Sequence, residues 1–384
     1  MTEPRSPFKF PTARPKLPCV EAIVPFLREI DSRRQYSNFG PLVRRFEAEL
    51  ATHFDAEPAS IVTVANATVG ITLALRERLG AIAGLCMMPA WTFVATPTAA
   101  VNAGLTPYFA DIDPLTWQLT PELARRALDR APGKICAIVP VAPFGAPADV
   151  AAWADFSEET GIPVVIDAAA GFDTARADPR SISILSLHAT KVFGVGEGGL
   201  ILSGTAKRGE KLRRMSNFGM DAGGESIFAG FNAKLTEYAA ALGLAALCQW
   251  PGTRAAFVDR AAAYRACLAD IDALAIVPSG LVRTASSTFN VIFREPVADA
   301  IVAWMQRSGM QARKWWGGAC HRHPVFAGYP HDDLLQTEEL ARHVVALPFW
   351  IDMSDDEQQS VAHCLRLGCE ALRRESPGLG AIRT

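Results

Sequence analysis

Two residues of this chain have the types and the spacing to act together. Asp167 closes the apolar run Val164-Val165-Ile166, and Lys191 follows 24 residues later in Ser186-Leu187-His188-Ala189-Thr190-Lys191. A carboxylate at the end of an apolar strand stands where open α/β sheets place their ligands. Taken alone it serves a metal, a ribose, a protonated ring nitrogen or the cap of the next turn. A lysine just behind an apolar strand is partly desolvated, which lowers its amine pKa and permits Schiff-base chemistry. A lone lysine is ordinarily solvated surface, and it is the pairing with Asp167 that singles Lys191 out.

Two further runs complete the set. Ala65-Asn66-Ala67-Thr68-Val69-Gly70 lies between a strand pattern and a helix pattern. Small residues and a hydroxyl at a helix N-terminus form an anion cup, since free N–H groups and the helix dipole both favour a phosphate. Asn or Thr there also caps helices for stability alone. Gly194-Val195-Gly196-Glu197-Gly198-Gly199 formally matches G-x-G-x-x-G, but Leu200-Ile201-Leu202-Ser203 continues it as a strand. The dinucleotide motif must open a helix, so that reading fails, and the glycines predict a tight connection passing close to a neighbour. A lysine for an aldehyde, a carboxylate for a protonated pyridine nitrogen and donors for a phosphate are the needs of pyridoxal 5'-phosphate (PLP). A ring to cover the pyridine comes from Pro89-Ala90-Trp91-Thr92-Phe93-Val94-Ala95-Thr96, as Trp91 or Phe93.

The elements that must position these groups follow from periodicity. Strand runs at 61–65, 85–88, 105–110, 137–141 and 163–166 alternate with helix patterns at 68–79, 121–130 and 149–160. Thr120 and Pro121 stand in N-cap and first-turn positions. This alternation predicts βαβ units and a largely parallel sheet. Strands at 181–187 and 199–203 follow with only a loop between them. Past Trp250-Pro251-Gly252 the composition changes: a long Ala-rich helix at 253–270, strands at 273–277 and 287–293, and helices near 297–308 and 355–373 predict a smaller α+β unit.

Composition sets the class. The chain has 384 residues, 49% hydrophobic and 20% charged, with 38 Lys and Arg against 40 Asp and Glu. That balance suits two packed domains and attracts no polyanion, so nucleic acid is not an expected partner. Eight cysteines at 19, 86, 136, 248, 267, 320, 364 and 369 form no C-x-x-C pair and predict reduced thiols in a cytoplasmic protein. The stretch 1–18 holds five prolines and no apolar core, unlike a signal peptide, and no apolar run is long enough to span a membrane.

The motifs resemble, in order over about residues 17–250, the DegT-type nucleotide-sugar aminotransferases of PLP fold type I. The matching stretches run from Asn38-Phe39-Gly40-Pro41 and Asn66-Ala67-Thr68, through the Pro89 run, Phe144-Gly145 and Ile166-Asp167-Ala168-Ala169, to the Lys191 run. Gly196-Glu197-Gly198-Gly199 and Gly230-Phe231-Asn232-Ala233-Lys234 complete the match. The resemblance implies an α/β fold: a large PLP-binding domain over 1–250 with a mostly parallel central sheet flanked by helices, and a small C-terminal α+β domain over 251–384. It implies that Lys191 bonds the cofactor and shuttles the proton, and that Asp167 pairs with the pyridinium. By the same carry-over Ala67, Thr68 and Ser186 hold the phosphate and Phe93 stacks on the ring. Asn232 would reach the phosphate of the neighbouring subunit, giving a homodimer with composite sites. The implied reaction aminates a nucleotide-linked keto-sugar, a 4-keto-6-deoxyhexose, with L-glutamate as donor. Two positions depart from the pattern: Ala170 replaces a Gln or His, and Lys234 replaces an Arg, exchanging a bidentate contact for a point charge.

Rival readings are a sugar dehydratase of the same fold, which carries His at the lysine position, a non-catalytic regulatory protein, and an NAD-dependent sugar enzyme, which fails on the glycine run. His321, His323 and His331 lack a third ligand at metal spacing, so no metal is expected. Lys314-Trp315-Trp316 suits stacking on a base or sugar, or a core aromatic pair. The pairs Arg33-Arg34 and Arg44-Arg45 are solvated faces or diphosphate contacts.

Overall fold

The computed structural model describes residues 8–80, 83–275 and 277–375. The first seven residues of the proline-rich stretch 1–18, and Ile276 of the strand expected at 273–277, lie outside these. Seven strands form the central layer: β1 Ile61–Val64, β2 Leu85–Pro89, β3 Thr106–Ala110, β4 Ile135–Ile138, β5 Ile166–Asp167, β6 Ser183–Ser186 and β7 Gly199–Leu202. β2 pairs in parallel with β3 and β4, β5 in parallel with β6, and β7 runs antiparallel between β6 and β1. Parallel bridges Ile138–Val164 and Val141–Asp167 join the two ladders. There the Asp167 amide donates to the Pro140 carbonyl and the Ala142 amide to the Asp167 carbonyl. The strand order is therefore β3-β2-β4-β5-β6-β7-β1, parallel except for β7. β1, β4, β5, β6 and β7 are buried throughout. Burial on both faces explains why they read as apolar runs rather than alternating ones.

The expected caps are present. Thr120 accepts from the Leu123 amide ahead of the helix Pro121–Leu128, and Asp149 accepts from the Ala152 amide ahead of Val150–Thr160. Two N-terminal helices, Val20–Arg33 and Pro41–His53, were not apparent from the sequence. The second is capped from a distance: the Glu237 carboxylate accepts from the amides of Leu42 and Val43, each at 2.9 Å. A Cβ on Gly40 would lie 2.6 Å from that carboxyl carbon, so a side chain there would displace the cap. The basic pairs are engaged locally. Arg33 meets Glu29, Arg45 meets Glu49, and Arg44 donates to the Phe39 carbonyl.

The helix expected at 253–270 begins earlier. It runs from Glu237 to Leu268, 32 residues, capped by Thr236 and passing through Pro251. The boundary expected at 250/251 thus falls inside one helix, which packing on both sides carries through Trp250-Pro251-Gly252. Buried Trp250 and Phe257 belong to one core that also holds Phe46, Phe193, Tyr264, Phe289, Phe349 and Leu365. Beyond it, β8 Leu274–Ala275, β9 Phe289–Phe293 and β10 Val344–Leu347 form an antiparallel sheet of order β10-β9-β8. The helices Ala298–Arg307 and Asp355–Glu375 accompany it. All eight cysteines are free, and no helix among the described residues is long and apolar enough to cross a membrane.

Candidate active site

β1, β5 and β6 run in the same direction, so their C-terminal ends share one edge of the sheet. That edge carries the N-terminus of the helix Ala67–Leu79 after β1, Asp167 at the end of β5, and the turn from Ser186 to Lys191 after β6. The motifs meet because the topology stacks strand ends that are far apart in sequence.

Asp167 is 5% exposed, and its charge is held by three groups. The Thr96 hydroxyl donates to Oδ2 at 2.7 Å, the Ala169 amide donates to Oδ1 at 3.1 Å, and the Lys191 charge lies nearby. Burial pushes the carboxyl above the ordinary aspartate value, and these three pull it back. Lys191 is half-buried. Desolvation holds its amine below the ordinary lysine value, against the attraction of Asp167.

The expected anion cup lies at the N-terminus of the helix Ala67–Leu79. Asn66 is the cap, accepting from the Val69 amide at 2.9 Å. Among the described residues the first-turn amides of Ala67 and Thr68 have no partner, as at any helix start, and neither does the Thr68 hydroxyl. Ser186 is buried beside them and accepts from the His188 amide at 3.2 Å. The glycine run explains the tight approach. A Cβ on Gly199 would sit 2.5 Å from the Asn66 carbonyl carbon and 2.7 Å from the Ala67 nitrogen. Only glycine lets β7 pass beneath the cup without shifting it.

Of the two aromatic candidates, Trp91 is taken into the core. It is 1% exposed and lies edge-on to Phe144 and Trp316. Phe93 stands 52% exposed at the rim, free to cover a planar ligand. Trp316 also stacks on Phe144, centroids 4.5 Å apart at 10°. With Trp315 and Phe93 it borders a cavity of about 440 Å³. Asn232 is exposed, with its side-chain oxygen accepting from Lys234 at 2.8 Å; Lys234 also donates to Asn217. Position 170, an alanine, offers no side-chain donor. His321 is committed to Glu338, and among the described residues no three His, Cys, Asp or Glu gather to hold a metal.

Thr96 was missed, although it ends the quoted Pro89 run. It sits in the first turn of the helix Ala95–Asn102, and its hydroxyl lies 2.7 Å from that of Thr92 in the loop before the helix. Losing a hydrogen bond to a charged group costs about 1.5–3 kcal/mol. Thr96→Val is therefore expected to lower kcat about tenfold or more and to raise the pH at which Asp167 protonates. An unmoved pH profile would leave Thr96 a packing role only.

The lowered Lys191 pKa has a stability consequence with a definite sign. Between its folded value and the ordinary value of 10.5 the unfolded chain carries a proton that the folded lysine has shed. Stability of the cofactor-free protein then rises with pH across that window. Denaturant titrations should show this component in the wild type and its loss in Lys191→Met. Parallel pH profiles for the two proteins would contradict it.

These residues suit PLP: a buried carboxylate for the ring nitrogen, a desolvated amine for the aldehyde and a glycine-spaced amide cradle for the phosphate. The comparisons agree. The family model described as the DegT/DnrJ/EryC1/StrS aminotransferase family matches residues 19–366. A dTDP-4-amino-4,6-dideoxy-D-glucose transaminase from Shigella dysenteriae is 30% identical over 92% of this chain and 97% of that one. The crystal structure of a putative PLP-dependent aminotransferase from Bacillus cereus superposes with a TM-score of 0.86 at 29% identity, covering 93% and 99% of the two chains. The structure of DesI in the presence of its TDP-sugar product gives 0.83 at 32%, covering 95% of each. The chain belongs to the DegT/DnrJ/EryC1/StrS aminotransferase family, whose cofactor is PLP.

Proposed function

We propose that this chain transfers the amino group of L-glutamate to a nucleotide-linked keto-sugar, a 4-keto-6-deoxyhexose. The observation that carries the reading is the convergence of Asp167, Lys191 and the Ala67–Thr68 amides on one sheet edge. Support for the sugar comes from the relatives, one a dTDP-amino-sugar transaminase and one crystallised with a TDP-sugar. The cavity bordered by Phe93, Trp315 and Trp316 supplies the aromatic surface a base or sugar stacks on.

When bound, PLP supplies the electron sink that makes the α-proton of the donor removable. The chain supplies the rest. Asp167 presents a buried carboxylate that keeps the ring nitrogen positive. The amides of Ala67 and Thr68, with Ser186, hold the phosphate and so fix the ring relative to Lys191. The Lys191 amine takes a proton at the donor's α-carbon and delivers one on the return, a task that desolvation, by lowering its pKa, favours. The direct test is incubation of the holoenzyme with L-glutamate and dTDP-4-keto-6-deoxyglucose. The expected products are 2-oxoglutarate and a sugar nucleotide whose mass shows amine in place of ketone oxygen. Absence of that product across a panel of nucleotide-linked keto-sugars would overturn the substrate class.

The same reading makes the protein a homodimer in which Asn232 serves the partner's phosphate. The exposure of Asn232 is compatible with this. Mixing Lys191→Ala with Asn232→Ala subunits is the test. In the mixed dimer one site carries both lesions and the other has an intact Lys191 and an intact Asn232. Activity is therefore expected to return after subunit exchange. No return after verified exchange would assign Asn232 to its own chain's site, or to none.

A further inference from the structure

A second cavity, about 340 Å³, lies between the helix Glu237–Leu268 and the strands β8 and β9, and none of the residues that hold or cover the cofactor lines it. Its walls are mostly apolar, with Phe289, Leu281 and Phe144 among them. The polar groups on the wall divide into two sets. The hydroxyls are satisfied internally: Thr284 donates to the Gly280 carbonyl, Ser286 to the Phe144 carbonyl, and Thr288 pairs with Ser286. Arg265 and Asn290 are not. Arg265 carries five N–H donors and spends one on the Val282 carbonyl. Among the described residues no carboxylate pairs with it. Its guanidinium lies 5.9 Å from the centre of the Phe289 ring. Desolvation lowers its pKa, as expected for a cation facing an apolar space without a counter-charge. The side-chain oxygen of Asn290 is shut off from solvent and has no hydrogen-bond partner among the described residues.

A sealed, unpaired acceptor on the wall of an apolar cavity is costly unless something pairs with it, and the half-buried guanidinium of Arg265 has donors to spare. The volume is that of a small-molecule site. We propose that this cavity is a second ligand site, specific for a small aromatic carboxylic acid that also carries an O–H or N–H donor. The carboxylate takes the free fork of Arg265, the donor takes Asn290 Oδ1, and the ring packs against Phe289 and Phe144. Glutamate and a nucleotide sugar lack that apolar body, so the site is not a second copy of the substrate site. The proposal does not depend on which sugar the enzyme aminates.

The test is calorimetric titration of the PLP-loaded enzyme with 4-hydroxyphenylacetate, compared with phenylacetate, which lacks the donor, and tyrosol, which lacks the carboxylate. One saturable site per chain is expected for 4-hydroxyphenylacetate, with the cofactor absorbance unchanged. Each truncated probe should bind about tenfold more weakly, the scale of one lost hydrogen bond in a buried site. Arg265→Met should weaken 4-hydroxyphenylacetate at least as much, and Leu281→Trp, which fills the cavity, should abolish its binding. The three-probe comparison uses the unaltered protein and stands even if a variant fails to fold. No saturable binding, equal affinity for all three probes, or a shift of the cofactor band would overturn the proposal. So would an affinity that folded Arg265→Met and Leu281→Trp both leave unchanged.

Discussion

Lys191→Ala is expected to remove turnover by at least about 10⁴-fold, the upper range for general acid–base catalysis by one side chain. The variant should remain folded. The Lys191 side chain makes no hydrogen bond among the described residues, and its amine is a desolvated group whose removal relieves a cost. Loss of activity with an unfolding midpoint no lower than that of the wild type therefore isolates a chemical role. Borohydride reduction of the wild-type holoenzyme followed by peptide mapping should fix the cofactor on Lys191 alone. A label on another lysine, or turnover within tenfold of wild type in Lys191→Ala, would overturn the assignment.

The second large effect is Asp167→Asn. The amide keeps the size of the side chain, and its oxygen can still accept from the Ala169 amide. The Thr96 hydroxyl can rotate to accept from the new NH₂, so stability is expected to change by no more than about 1 kcal/mol. What is lost is a negative charge in a buried place, where a fixed charge acts strongly. A neutral partner does not keep the ring nitrogen protonated, and the transition state loses several kcal/mol of stabilisation. We expect kcat to fall by about 10³-fold, or roughly 4 kcal/mol by the rate relation. Single-turnover kinetics with glutamate alone tests this, because it reads proton removal without the sugar. Retention of the rate within about threefold would remove Asp167 from the pairing role.

Much of this site was legible because each part is written in a short contiguous run. Asp167 ends a strand, Lys191 follows one, and Ala67 starts a helix; those are local facts, and the βαβ alternation puts such points at one edge. Gly199 was legible as a close approach, but not as an approach to Ala67, because the two are joined only through the pairing of β7 with β1. Thr96 stayed hidden for the same reason: its partner Asp167 is 71 residues away. The N-terminal helix Pro41–His53 lacks a Ser or Asp cap, since Glu237 caps it from 195 residues on, and no window-based reading finds that. At Trp250-Pro251 the local signal was misleading. A proline in a helix costs about 3 kcal/mol, and buried neighbours such as Phe257 and Phe193 outweigh it. Trp91 and Phe93 were indistinguishable in sequence because both flank Thr92, and only burial separates them.

The place of β1 in the sheet bears on how the chain is made. Among the described residues the strand it pairs with is β7, which begins 138 residues after β1 begins. At about 5–20 residues per second of synthesis, roughly 7–28 seconds separate the two strands as they leave the ribosome. During that interval Ile61, Val62 and Val64, fully buried in the finished protein, have no ladder to join. A nascent chain in this state carries an apolar edge, and burial of that edge in the sheet waits on β7.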